Sequence, residues 1–181
     1  MQKRLFVAIS LPEDVKKRLF RFVEKEHKNL PVKWTRKENL HLTLNFLGYT
    51  ADENVVNVCE AIRNAVQEFQ SFELAFEKVG LGPNSEVKKM IWASGEKSEE
   101  LSGLKYQLDK ALGFRAGEKR EFQPHITLGR IDKSRWRKIS PEPDAERNFK
   151  FSVPVGSIEL YESKFEKGKR VYYVLESFSL K

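Results

Sequence analysis

The sequence is poor in the residues that build metal centres and covalent cross-links. Among 181 residues there is one cysteine, Cys59, and only three histidines. One thiol excludes an internal disulfide and any cysteine-rich zinc site. Cys59 also falls on an apolar helical stripe, a poor setting for a nucleophile. There is no Gly-x-Ser-x-Gly elbow, no P-loop and no dinucleotide fingerprint. No apolar run approaches the ~18 residues of a membrane span. The opening "MQKRLFVAISLPEDVKK" has a short apolar stretch without a small-residue cleavage site, so a first strand is expected there rather than a signal peptide. The expected setting is cytoplasmic, with no membrane association and no obligate protein partner.

Positive charge is in excess. Lys and Arg number 33 against 26 Asp and Glu, a formal net charge of +7. Such a balance favours a polyanionic partner, the plain alternative being a solvated surface rich in Lys and Glu.

The periodicity alternates between strands and helices. "RLFVAI" (4–9) is expected to be a strand, followed by a helix with Val15, Leu19, Phe22 and Val23 on one face and Pro12 at its first turn. After a strand at 41–47, Thr50 and Glu53 are spaced as a capping box. The helix beyond them carries Val55, Val58, Cys59, Ile62, Ala65, Val66 and Phe69 as a 3.6-residue stripe. "FELAFEKVGL" and "KKMIWASG" read as strands joined by the turn "GPNSE". A helix capped by Ser98 then carries Leu101, Leu104, Leu108 and Leu112 and stops at Gly113. The segment 132–148 is charged, holds two prolines and reads as a surface excursion with one helical turn. "VGSIELYESKF" and "RVYYVLESFSL" close the chain as strands around the turn "EKGK".

Two of the three histidines stand in one repeated word, His-x-Thr-Leu. In "HLTLNFLG" (41–48), His41, Thr43 and Asn45 alternate with Leu42, Leu44 and Phe46. In "PHITLGR" (124–130), His125 and Thr127 alternate with Ile126 and Leu128. Each pattern puts an imidazole and a hydroxyl on one face of a strand. Two such strands, one per half of the chain, indicate two α+β lobes related by approximate twofold symmetry around a shared cleft. Two imidazoles can give and take a proton in one turnover near neutral pH. The Thr hydroxyls can donate to oxygens that gain charge in the transition state. Phosphodiester chemistry needs that set and needs no metal. Two histidines without a matching carboxylate fall short of a metal site. His27, in the charged segment "EKEHKNLP", reads as a surface residue.

The chain resembles the two-histidine (2H) phosphoesterases, and within them the RNA 2′,3′-cyclic phosphodiesterases, also called 2′-5′ RNA ligases. The matching words are "RLFVAISLP", "ENLHLTLNFLG", "MIWASG", "FQPHITLGR" and "SIELYESKF…G..YYVLESFSL", which span nearly the whole chain in order. The resemblance implies an α+β fold: one domain over 1–181, with two pseudo-symmetric lobes, antiparallel sheets lining a central cleft, and helices outside. It implies His41 and His125 as catalytic residues, here assigned as general acid and general base respectively. It implies Thr43, Thr127 and Arg130 as phosphate-binding, Phe46 packing beside a base, no cofactor and no metal. Trp34 and Trp92 match family positions as well; Trp92 reads as core. The implied substrates are RNA ends or tRNA fragments with 2′,3′-cyclic phosphates, or nucleotides, hydrolysed to 2′-phosphates. The alternatives are the reverse reaction, 2′-5′ ligation of tRNA halves, and a non-catalytic nucleotide- or RNA-binding module of the same fold.

Strict alternation places Phe46 and Arg130, each five residues after its histidine, on the face opposite the imidazoles. Only a twist or bulge, which Gly129 would permit, brings them round. Candidate RNA contacts in the basic surface are Lys33, Arg36, Lys37, Arg120, Arg130, Arg135, Arg137 and Lys138.

Overall fold

In a computed structural model, residues 1–83, 89–114 and 122–181 are described. The turn "GPNSE" lies mostly outside them, and Arg120 lies wholly outside. The elements in order are β1 (Gln2–Ser10), α1 (Glu13–Glu26), β2 (Val32–Trp34), β3 (His41–Ala51), α2 (Val55–Val66), β4 (Phe72–Gly82), β5 (Met90–Gly95), α3 (Glu99–Ala111), β6 (His125–Ile131), α4 (Lys133–Trp136), β7 (Arg147–Val155), β8 (Ser157–Glu166) and β9 (Lys169–Ser179). The fold is α+β with antiparallel strand pairing, as expected.

Among the described residues nine strands join in the order β7-β4-β5-β6-β3-β1-β8-β9, with β2 added beside β6. The order is a palindrome of roles. Each motif strand, β3 or β6, is flanked by a strand and then an antiparallel pair, the β8–β9 hairpin beyond β1 and the pair β4–β7 beyond β5. The halves meet at one pair, Leu42 opposite Ile126. The C-terminal hairpin β8–β9 pairs with β1, so the last strands complete the lobe that the first strand began.

Leu42, Leu44, Ile126 and Leu128 are buried against α1, α2 and α3, whose stripes contribute Val15, Leu19, Val23, Cys59, Ile62, Val66, Leu101, Leu104 and Leu108. Each such side chain contributes about 1.5–3 kcal/mol on burial. The opposite face of both motif strands is left for the site.

Local chemistry sets the helix ends. Ser98 Oγ accepts the Leu101 N–H at 3.1 Å. Gly113, at φ 74°, reverses the chain after α3, and the Phe114 N–H returns to the Asp109 carbonyl at 2.8 Å. The Thr50/Glu53 capping box does not form. β3 runs on to Ala51, a 3₁₀ turn follows at Asp52–Asn54, and α2 begins without a side-chain cap. The turn "EKGK" closes β8–β9 with Lys167 and Gly168 both at positive φ, the twist a two-residue hairpin requires.

The excursion 132–148 does hold one helical turn, capped by Asp132, but Trp136 and Ala145 are buried within it. β7, with its Pro154, was not expected as a strand. It is an edge strand, where a missing N–H costs no ladder bond.

Candidate active site

The two motif strands run antiparallel through Leu42 and Ile126, so His41 and His125 lie diagonally across the junction. Thr43 falls in register beside His125, and Thr127 beside His41. Diagonal neighbours of this kind are about 7–8 Å apart. All four side chains are half-buried on the face away from the helices.

Both strands bulge just beyond the motif. Ala8 pairs with Thr43 and Val7 with Asn45, leaving Leu44 as an extra residue. In the other half Trp92 pairs with Thr127 and Ile91 with Gly129, leaving Leu128 as the extra one. One extra residue inverts the alternation. Asn45 turns to the helix side and donates to Asp109 of α3 at 2.6 Å. Phe46 and Arg130 turn outward on the histidine side, Phe46 at 69% exposure. Gly129 also lets β2 approach closely, since a Cβ there would strike Val32 and Trp34.

His41 sits in an aromatic nest. Phe6 of β1 packs against its ring at 5.0 Å between centroids and Tyr172 of β9 meets it edge-on at 5.3 Å. Tyr161 of β8 stacks on Phe6 at 5.0 Å and shares a hydrogen bond with Ser10, the residue opposite His41. The His41 Nδ1–H donates to the Asn39 carbonyl at 2.7 Å, which leaves Nε2 to accept the Thr43 hydroxyl at 2.9 Å in the neutral ring. Asn39 is itself fixed, its amide donating to the Arg170 carbonyl at 3.0 Å.

His125 is arranged in the same way with other partners. Its Nδ1–H donates to the Gln123 carbonyl at 2.9 Å, and its ring stacks on Trp92 at 3.9 Å. Trp92 is therefore buried, as expected of a core residue, but as the floor beneath His125. Burial holds the pKa of both imidazoles below the ordinary value. Hydrogen bonding to Asn39 opposes that for His41, and nearby His125 and Lys16 add to it; for His125 the Gln123 carbonyl opposes it.

The model of the LigT-like phosphoesterases matches residues 9–92 and 93–172, so that each matched segment carries one motif strand. The chain belongs to this family. An RNA 2′,3′-cyclic phosphodiesterase of Thermotoga maritima is 32% identical over 183 residues, covering 91% of this chain and 97% of the relative. Another, from Methanothermobacter thermautotrophicus, is 28% identical and covers 99% of this chain and all of the relative. The crystal structure of Escherichia coli LigT in apo form superposes with a TM-score of 0.80 at 26% identity, covering 99% and 98% of the two chains; that protein has also been solved complexed with ATP.

Several residues of this LigT-like cleft carry no signal in the sequence. Phe6, Tyr161 and Tyr172 reach His41 only because β1, β8 and β9 assemble beside β3. Phe6 lies in a plain strand pattern that foretells burial but not its neighbour. Asn39 and Gln123 each stand two residues before a histidine, a matched spacing that the paired motifs could have revealed.

The basic candidates divide. Arg36 pairs with Glu38 and donates to the Arg170 carbonyl, and Lys37 pairs with Glu13. Arg130, Lys33, Arg135, Arg137 and Lys138 are exposed, with Lys33 opposite Arg130 in the β2–β6 register. His27 is not a surface residue: it is 1% exposed, between Phe22 and Trp34, because α1 ends there and folds it under β2. Among the described residues no group of three His, Cys, Asp or Glu is placed to hold a metal ion, and no helix is long and apolar enough to cross a membrane.

Proposed function

We propose that the protein hydrolyses 2′,3′-cyclic phosphate ends of RNA to 2′-phosphates, without a metal, in the cleft between β3 and β6. The observation that carries this reading is the quartet of two imidazoles and two hydroxyls related across the Leu42–Ile126 pair. The names of the relatives supply the substrate class.

In the proposed reaction the cyclic phosphate lies between the histidines, its nonbridging oxygens accepting from the Thr43 and Thr127 hydroxyls and from Arg130. Charge-assisted donors of this kind are strongest where negative charge grows. The Gln123 carbonyl holds the His125 proton on Nδ1, so Nε2 has the free lone pair. His125 takes the proton of a water whose oxygen bonds to phosphorus. The bond from phosphorus to the ribose 3′ oxygen breaks, and His41 in its protonated form delivers the Nε2 proton to that oxygen. The products are a 2′-phosphate and a 3′-hydroxyl, with the histidines exchanging states. A bound anion stabilises the imidazolium, so that His41 keeps a proton drawn from solvent that burial by itself disfavours.

The test is turnover of a nucleoside 2′,3′-cyclic phosphate in excess chelator, with the product's phosphate position determined. Formation of the 2′-phosphate is the expected result. Binding without turnover would leave the non-catalytic module. Loss of activity on chelation, restored by Zn²⁺ or Mn²⁺, would replace the metal-free mechanism.

A further inference from the structure

The β8–β9 hairpin extends past β1, which pairs only with Glu159–Glu162 of β8. Its far end curls over the histidine cleft and is tied down there. Both the Asn39 amide and the Arg36 guanidinium donate to the Arg170 carbonyl, at 3.0 and 2.6 Å. One face of the hairpin is therefore continuous with the site. From the Tyr172 ring beside His41, the next cross-strand pair on that face is Arg170 and Phe165, about 7 Å further along. Phe165 is 68% exposed, and the Arg170 guanidinium lies over its ring at 5.8 Å while donating to Ser163. Beyond them the turn presents Lys167 and Lys169, which have no ion-pair partner among the described residues.

An exposed ring with a guanidinium on it, followed by unpaired ammonium groups, has the chemistry of a platform for single-stranded nucleic acid. A base stacks on the ring and the cations meet the flanking phosphates. An apolar partner would not need the lysines, and an acidic peptide would not need the ring. We propose that this hairpin face binds the RNA chain that leads to the reacting end, with one base on Phe165 and the adjoining phosphates at Lys167 and Lys169. The inference rests on the reading of the histidine cleft as a phosphodiesterase site. It adds a subsite that a mononucleotide does not reach.

Two variants separate the subsite from the chemistry: F165A, and K167N/K169Q, in which Asn suits the positive φ of the turn. Binding of a fluorescent single-stranded RNA ending in a 2′-phosphate is followed by anisotropy across a salt series. Turnover of a mononucleotide 2′,3′-cyclic phosphate is followed separately. F165A is expected to weaken RNA binding roughly five-fold or more. K167N/K169Q is expected to weaken it and to lower the salt slope by about 1.4, the share of two phosphate contacts on a single strand. Mononucleotide turnover should keep its wild-type value in both. Unchanged RNA affinity and salt slope would overturn the subsite and leave the phosphodiesterase reading standing. Equal competition from a poly-glutamate of the same charge would also overturn it, in favour of an acidic protein partner. Weakened RNA binding in the variants, together with no turnover of cyclic phosphate by the wild-type protein, would uphold the subsite and reject the reaction.

Discussion

The two halves of the cleft share a backbone and differ in chemistry. Each offers a His-x-Thr strand, an Nδ1–H held by a carbonyl two residues earlier, and a bulge that swings the fifth residue back to the site. Around His41 the fillers are Phe6, Tyr161 and Tyr172, and the returning residue is Phe46. Around His125 the ring packed against it among the described residues is Trp92, and the returning residue is Arg130, whose guanidinium lies near the Met90 sulfur. The duplicated strand geometry suits the proposed reaction, in which acid and base both need an imidazole fixed at Nδ1. The divergent surroundings match the lopsided substrate proposed above, with an anion to be met by a cation and a nucleoside to be met by rings.

The largest effect should fall equally on both sides. Replacing His41 or His125 by Ala is expected to lower kcat on a cyclic phosphate by roughly 10²–10⁴. The double variant should cost far less than the product, since the two act as a unit. Near-wild-type turnover in either single variant would break the symmetry and the mechanism with it.

The next effect should separate the sides. Arg130→Ala removes a charged donor and is expected to lower kcat/KM about 10–100-fold on RNA and mononucleotide alike. Phe46→Ala should cost about ten-fold or less, and mostly in KM. A larger loss at Phe46 than at Arg130 would mean that the division into cationic and apolar sides is misassigned.

The pH dependence of kcat/KM sharpens the comparison further. The free site must hold one proton on two imidazoles that burial has pushed below the ordinary value of about 6.5. A bell centred below pH 6.5 is therefore expected. Its alkaline limb should move up in kcat, because a bound phosphate stabilises the imidazolium. A bell centred above 6.5 in the free enzyme would show that neither side is desolvated enough to matter.

The smallest effect lies outside the cleft. His27 is buried, its Nε2 has no hydrogen-bond partner among the described residues, and burial lowers its pKa. The unfolded chain binds this proton more readily, so stability present above about pH 6.5 is lost as the pH falls through that value. The Tm should drop by a few degrees on acidification, and by less in His27→Phe. An unchanged slope in that variant would assign the whole effect to His41 and His125.

By itself the sequence determined what rests on neighbours along the chain. The two motif strands, the apolar stripes of α1, α2 and α3, the Ser98 cap and the Gly113 stop are all local patterns of period 2 or 3.6 or local hydrogen bonds. The motif words were legible as a pair because they repeat. Tertiary structure decided the rest. Phe46 and Arg130 reach the histidine side only because β1 and β5 skip a residue in pairing with the motif strands, a choice made between strands about 35 residues apart in sequence. His27 looks solvated in its charged segment and is buried only by the arrival of β2 and Trp34. β7 is a strand because β4 offers it an edge. Tyr172 stands beside His41 because β8 chose β1, more than 150 residues away, and carried β9 over the cleft. Such pairings depend on the free energy of the assembled sheet, which no local window of residues contains.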